Sequence, residues 1–134
     1  MKRSKARELM MQMIFEMNMQ KDYSQELKER FFLLNEIQEE NQAYFNQVFE
    51  QIKEHILSID ELINEVGKGW STETMPAVDL AILRLAIAEM IYLKDIPVSV
   101  AINEAVELAK RYSTEQSSKF VNGMLGTIAR GNHA

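Results

Sequence analysis

The chain has 134 residues, of which 46% are hydrophobic and 26% are charged, and it contains five glycines, two prolines and no cysteine. This composition fits one folded domain and excludes collagen-like, low-complexity and wholly disordered chains, and the absence of cysteine excludes a disulfide framework, thiol catalysis and cysteine-ligated zinc. The net charge of −5 excludes a uniformly basic surface of the kind that coats nucleic acid.

Helical periodicity runs through the first half of the chain, and no segment alternates as a half-buried strand would. The first predicted helix covers residues 4–19, the second about 24–34 and the third about 38–57. The apolar stripe of the first helix is rich in methionine, which we expect to fill a core rather than to line a binding groove. Its members are Ala6, Leu9, Met10, Met13 and Met17.

Two further helices are predicted in the middle of the chain. Ser58 and Glu61 form the Ser-x-x-Glu pattern of a capping box, which opens a short fourth helix that stops at Gly67. The fifth helix covers residues 76–93, with Pro76 at its first position, and is apolar nearly all round. We therefore expect the fifth helix to be central and buried.

The C-terminal part predicts the sixth and seventh helices. Ser99 is expected to cap the sixth, while Ser113 with Gln116 is expected to cap the seventh, which ends before Gly131. The predicted fold is all-α, with about seven helices in a single domain over residues 1–134.

Export and membrane insertion are not indicated. Glu8, Gln12 and Glu16 interrupt the apolar run that a secretory signal needs after its basic start. No stretch approaches the roughly 18 uncharged apolar residues of a membrane span. Together with the absence of cysteine, this predicts a cytoplasmic protein with no membrane partner.

The sequence contains few residues that could serve as catalytic groups. His55 lacks a carboxylate three or four residues before it with which to share a metal, and His133 falls in a tail that we expect to fray. Ser113 and the serines that follow it have no nearby histidine to activate them. We therefore expect no catalytic residue, no bound metal, no cofactor and no enzymatic activity.

The charges are unevenly placed along the chain, with the acid concentrated between residues 22 and 65. Basic residues gather at both ends: Lys2, Arg3, Lys5 and Arg7 at the start, and Lys110, Arg111, Lys119 and Arg130 near the end. If the two ends meet in space, they form a local phosphate-binding face. The alternative is that these residues are ordinary solvated helix surfaces.

Arg84 is the one charged residue in the most apolar part of the fifth predicted helix. A buried guanidinium must find a partner or reach the surface. We expect an ion pair with Glu104 or Glu107 on the next helix, and the alternative is a contact with a phosphate or a partner protein.

Several sequence motifs resemble one known family. They are Asp79-Leu-Ala-Ile-Leu-Arg-Leu-Ala86, Glu89, Asp95-Ile-Pro97, Val100-Ala-Ile-Asn-Glu-Ala-Val-Glu-Leu-Ala-Lys110 and Lys119-Phe-Val-Asn-Gly123. In this order and spacing they resemble the NusB family of bacterial transcription antitermination factors. The basic start of the chain is similar to the arginine-rich start of the same family. The resemblance is dense from about 70 to 129 and loose from 20 to 68.

The resemblance implies two packed helical lobes, about 1–68 and 69–134, and a binding factor rather than an enzyme. Its ligand would be the single-stranded boxA element of ribosomal RNA transcripts, bound together with the ribosomal protein NusE. Other antitermination factors and RNA polymerase would be indirect partners. Carried over by position, the RNA-binding residues would be Lys2, Arg3, Lys5, Arg7, Arg84, Tyr112, Gln116, Lys119 and Phe120. Phe120 alternatively belongs to the core.

The resemblance also implies a surface for the ribosomal protein, at Asp79 and Glu89. Two arginines that are frequent in the family are missing, because Thr74 and Leu80 stand in their places. Arginine binds phosphate with two hydrogen bonds and stacks on bases, which threonine and leucine cannot do. We therefore expect weak RNA binding by the chain alone, with the partner supplying part of the affinity.

Two other functions remain compatible with the sequence. The first is a protein-interaction module, as a homodimer or a ribosome-assembly partner, with little intrinsic RNA binding. The second is an accessory to a separate RNA methyltransferase, because NusB-like domains also occur fused to such enzymes.

Overall fold

The computed structural model describes residues 1–131, which form six α-helices and no strand. The helices are α1 (Arg3–Gln20), α2 (Gln25–Leu34), α3 (Gln42–Val66), α4 (Ala77–Ile87), α5 (Val98–Tyr112) and α6 (Glu115–Arg130). A 3-10 turn, Glu39–Asn41, precedes α3, and a π-helical segment, Ala88–Tyr92, continues α4. The all-α prediction is confirmed, while the expectation for His133 concerns a residue outside the described range.

The first two helices form where their periodicity and start signals predicted. The methionine-rich stripe of α1 faces inward, and Met10, Met13 and Met17 are fully buried as core residues. Ser24 caps α2, where its hydroxyl oxygen accepts a hydrogen bond from the Leu27 backbone N–H at 3.2 Å. This cap satisfies one of the N–H groups that a helix start leaves without a partner.

The predicted third and fourth helices are one element, which is why the structure has six helices rather than seven. Ser58 lies inside α3, so the expected capping box is wrong. The helix does bend close to the predicted boundary, because His55 leaves helical geometry with φ −115° and ψ 16°. The His55 ring stacks on Tyr92, with centroids 3.8 Å apart and planes 3° apart. The interruption is thus a kink that packs against the π-helical segment.

Two predicted caps near the C-terminus are displaced by one or two positions. Helix α5 begins at Val98 directly after Pro97, so Ser99 lies within its first turn and is not the cap. The cap of α6 is Thr114 rather than Ser113, and its hydroxyl accepts from the Ser117 backbone N–H at 2.9 Å.

Helix α4 is the centre of the molecule, as its apolar sequence predicted. Every residue from Asp79 to Ile87 is buried, and α1, α3, α5 and α6 all pack against this helix. One hydrophobic cluster takes side chains from all six helices. The division into lobes at residues 68 and 69 stays a prediction. None of the helices in residues 1–131 is long and apolar enough to cross a membrane.

Arg84 is buried within this core and is neutralised by a partner that the sequence did not suggest. Its guanidinium donates to both carboxylate oxygens of Asp60, at 2.9 and 2.7 Å, and to the Asn18 side-chain oxygen at 3.2 Å. The expected ion pair of Arg84 with Glu104 or Glu107 is wrong, because Arg84 pairs with Asp60 on α3 instead. Burial alone would lower the pKa of Arg84, but the hydrogen bonds and charge of Asp60 raise it above its ordinary value.

We expect Arg84→Met to lower the free energy of unfolding by about 3 kcal/mol, because it leaves the Asp60 carboxylate and the Asn18 amide without their partner. Urea unfolding followed by circular dichroism measures the difference. Arg30→Met is the matched control, since Arg30 is an exposed arginine on α2, and it should change stability by less than about 0.5 kcal/mol. Equal stability of the two variants would contradict this assignment.

Candidate nucleic-acid interface

The two basic ends of the chain meet where the start of α1 packs against α5. The Ser4 hydroxyl donates to Glu104 at 2.7 Å, and the Arg7 guanidinium donates to the same oxygen at 3.2 Å. One turn further along, Glu8 accepts hydrogen bonds from Arg111 at 2.8 Å and from the Tyr112 hydroxyl. The two ends of the chain therefore meet in space, as a local basic face requires.

Most of the predicted RNA-binding residues are exposed. The exposed ones are Lys2, Arg3, Lys5, Tyr112, Gln116 and Lys119. Arg3 places its guanidinium 4.5 Å from the centre of the Tyr44 ring, a cation–π contact that holds the side chain near the surface. We call these six residues the basic face.

Arg7 does not belong to the basic face, because it is buried in an ion pair with Glu89. Its Nε atom donates to both Glu89 carboxylate oxygens, at 2.9 and 3.0 Å, and Tyr44 donates its hydroxyl to the same carboxylate. Only 5% of Arg7 and 1% of Glu89 is exposed. Because both residues are buried in this pair, neither is exposed where the resemblance had placed it: Arg7 for contact with RNA, and Glu89 for contact with the partner protein.

The ionisation of this cluster follows from its burial and its charges. Burial alone would lower the pKa of Arg7, but the adjacent Glu89 carboxylate offsets this and the pKa is raised. Burial raises the pKa of Tyr44, and the negative charge of Glu89 raises it further. The guanidinium is thus charged and the phenol neutral at physiological pH, which lets both donate to Glu89.

Arg84 lies at the other end of α1 from the basic face. It contacts Asn18, which is 13 residues beyond Lys5 and therefore about 20 Å further along the helix. Because Arg84 is also buried and paired with Asp60, it is not part of the face where the sequence resemblance had put it.

A groove of about 270 Å³ borders the basic face at the start of α6. It is lined by Trp70, Met75, Pro76, Asp79, Thr114, Gln116, Ser117 and Phe120. Trp70 is half exposed, and its ring meets Phe120 edge to face with centroids 6.4 Å apart. Phe120 is half-buried, so it both packs on the core and forms a wall of the groove. Gly67 follows the end of α3, and any other side chain there would collide through its Cβ with the Trp70 carbonyl oxygen.

Asp79 is buried at the floor of this groove. Its Oδ2 atom accepts a hydrogen bond from the Ser117 hydroxyl at 2.9 Å, which ties the start of α4 to the start of α6. Only 2% of the surface of Asp79 is exposed, so it offers little area to the partner contact that the resemblance implied. Leu80, beside it, is a core residue and Thr74 is in an exposed loop.

Sequence reasoning missed two members of this region. Glu8 holds both Arg111 and Tyr112, and its position three residues after Lys5 on the basic helix was the available signal. Trp70 was the other, as the single tryptophan in a glycine-containing loop. Across residues 1–131, no three His, Asp or Glu side chains cluster as metal ligands would.

A model of the NusB family matches residues 4–130. The chain belongs to the NusB family. Transcription antitermination protein NusB of Alkaliphilus oremlandii is 42% identical over 126 residues, covering 94% of this chain and 91% of the relative. The protein of the same name from Finegoldia magna is 40% identical over 130 residues, covering 97% and 95%.

Solved structures agree with this membership. NusB of T. maritima superposes with a TM-score of 0.86 at 34% identity, covering 97% of this chain and 92% of that one. A crystal structure of antitermination factors NusB and NusE in complex with dsRNA contains a chain that superposes with a TM-score of 0.84 at 26% identity. That match covers 98% of this chain and 99% of the other. The NusB fold thus extends over the described helices.

For this NusB-family chain we expect Arg7→Met to lower the free energy of unfolding by about 3 kcal/mol, because Glu89 would remain buried without a counter-charge. Lys119→Met, on the basic face, should change it by less than about 0.5 kcal/mol. Urea unfolding of the two variants makes the comparison. An Arg7 variant as stable as the wild type would contradict the stabilising role assigned to this ion pair.

Proposed function

We propose that this protein is a transcription antitermination factor that binds boxA-type single-stranded RNA of ribosomal RNA transcripts together with the ribosomal protein NusE. The observation that carries the proposal is the convergence of the two basic ends of an acidic chain on one exposed face. Relatives called transcription antitermination protein NusB support the antitermination role, and the solved complex of NusB and NusE with dsRNA supports binding of RNA and of NusE. The protein acts by binding, without catalysis, and reaches RNA polymerase and other antitermination factors indirectly.

The basic face has the two kinds of group that single-strand recognition needs. Lys2, Arg3, Lys5 and Lys119 supply cations for phosphates. Tyr112 supplies an exposed ring for stacking, and its hydroxyl bond to Glu8 fixes the direction in which the ring points. Phosphate contacts give affinity, and the aromatic ring selects splayed bases over a paired duplex.

The groove beside the basic face is our candidate for the NusE surface. Trp70 is the exposed anchor there, and a half-exposed tryptophan next to a concave surface is typical of binding hot spots. Asp79 contributes by holding Ser117 and the start of α6 in place. RNA and partner would then meet across α6, where Gln116 and Phe120 line the groove and Lys119 lies on the basic face.

Fluorescence anisotropy with a labelled boxA RNA and a scrambled RNA tests the proposal. We expect preference for boxA, strengthened by NusE. If about four phosphates are neutralised, affinity should fall roughly 50-fold between about 50 and 200 mM salt. Lys119→Ala should weaken binding up to about fivefold, the value of one exposed ion pair.

Arg30→Ala is the matched control for this titration, because Arg30 is exposed and hydrogen-bonds Gln20 at the far end of α1. It should leave RNA affinity unchanged. Equal and feeble binding to both RNAs, with and without NusE, would overturn the RNA-binding function and leave the protein-interaction module.

A further inference from the structure

One carboxylate holds three polar groups at the edge of the basic face. Glu8 accepts from Arg111 Nη1 at 2.8 Å and from the Tyr112 hydroxyl, and its Oε1 atom lies 3.6 Å from Lys5 Nζ. The Glu8 side chain is only 13% exposed, whereas those of Arg111 and Lys5 are 66% and 57% exposed. Two surface cations thus direct their charge toward an acid of the same chain.

Glu8 keeps its negative charge under physiological conditions. The hydrogen bond from Tyr112 lowers its pKa, and the charges of Lys5 and Arg111 lower it further, while partial burial opposes the change. A carboxylate and a phosphodiester bind a guanidinium through the same charge-assisted hydrogen bonds. An RNA phosphate approaching Arg111 therefore meets a site that is already occupied by a like charge.

Glu8 is not required to dock α1 on α5. The bonds from Ser4 and Arg7 to Glu104 already join the two helices one turn earlier. Arg111 is at the C-terminal end of α5, and its only polar partner among the described residues is Glu8. The contact therefore fixes an exposed surface side chain rather than a core element, so replacing it costs little free energy.

We propose that Glu8 is an internal competitor for RNA phosphate: in the free protein it occupies Arg111 and Lys5, and RNA binding replaces its carboxylate with phosphodiester oxygens. Arg111 then becomes an RNA contact in addition to the residues of the basic face. This inference rests on the proposed RNA-binding function. It makes RNA affinity a difference between two similar electrostatic contacts, so the free chain binds RNA less tightly than its exposed cations would allow.

The test is Glu8→Gln, which keeps the shape of the side chain and removes its charge. Anisotropy titration with labelled boxA RNA should show binding up to about fivefold tighter than wild type, because an exposed ion pair no longer has to be broken. The salt dependence should match that of the wild type, because both complexes make the same phosphate contacts.

Two further variants separate competition from a general change in charge. Glu107→Gln makes the same charge change on α5, where Glu107 pairs, within residues 1–131, only with Lys110 at 3.9 Å, and it should have a smaller effect. Arg111→Ala should cost little RNA affinity in the wild type and several-fold more when combined with Glu8→Gln. This double-mutant cycle assigns the gain to Arg111 itself.

Each outcome decides the question. RNA affinity that is unchanged or weaker in Glu8→Gln, with an unchanged melting temperature, would show that the carboxylate is a scaffold for Tyr112 and would overturn the competition. An equal gain in Glu107→Gln would also overturn it. If wild type prefers boxA, these results refute only this inference, whereas the absence of any boxA preference in wild type and Glu8→Gln alike refutes the proposed function with it.

Discussion

The buried ion pair between Arg7 and Glu89 is the interaction on which the candidate site depends. Moving two charges out of water costs several kcal/mol per ion, and the cost is recovered only when geometry and further hydrogen bonds are good. Here Arg7 Nε donates to both carboxylate oxygens of Glu89, and the Tyr44 hydroxyl donates a third hydrogen bond to the same carboxylate. Arg7 Nη1 donates to Glu104. Since these groups come from α1, α3, α5 and the segment that continues α4, one cluster sets where α1 begins. The orientation of the basic face follows from that position.

A second buried arginine holds the opposite end of the same helix. Arg84 donates to Asp60 on α3 and to Asn18 near the end of α1, so this helix is held by charge at both ends and by buried methionines between them. Packed methionines adapt to many shapes and specify position poorly, whereas directional hydrogen bonds to a guanidinium specify it well. The two clusters therefore give α1 a defined register, which a surface formed by the first turn of a helix requires.

Local patterns predicted the helices well and the charged contacts poorly. Periodicity and capping residues located α1 and α2 within two residues, because those signals act over one or two turns. Ser58 was wrongly predicted to begin a helix, because Ser-x-x-Glu also occurs inside helices. The kink at His55 accompanies stacking of its ring on Tyr92, 37 residues away, which local sequence patterns do not indicate. Charge asymmetry allowed a shared basic face only on the condition that the two ends meet. The charge pattern did not predict that Arg7 is buried. Its partner Glu89 is 82 residues away in the sequence and comes near only when α1 packs on the segment that continues α4.

The electrostatics of the chain favour selective over indiscriminate RNA binding. A net charge of −5 repels polyanions at long range, and attraction is restricted to one face at which the basic ends converge. On the competition we propose, Glu8 reduces that attraction further by neutralising part of the charge of Lys5 and Arg111. Non-specific affinity depends almost entirely on phosphate contacts, so it loses most from this restraint. Stacking on Tyr112 and contacts from a bound partner do not require Lys5 or Arg111 to leave Glu8, and they therefore account for a larger share of the binding energy to the correct RNA than to any other.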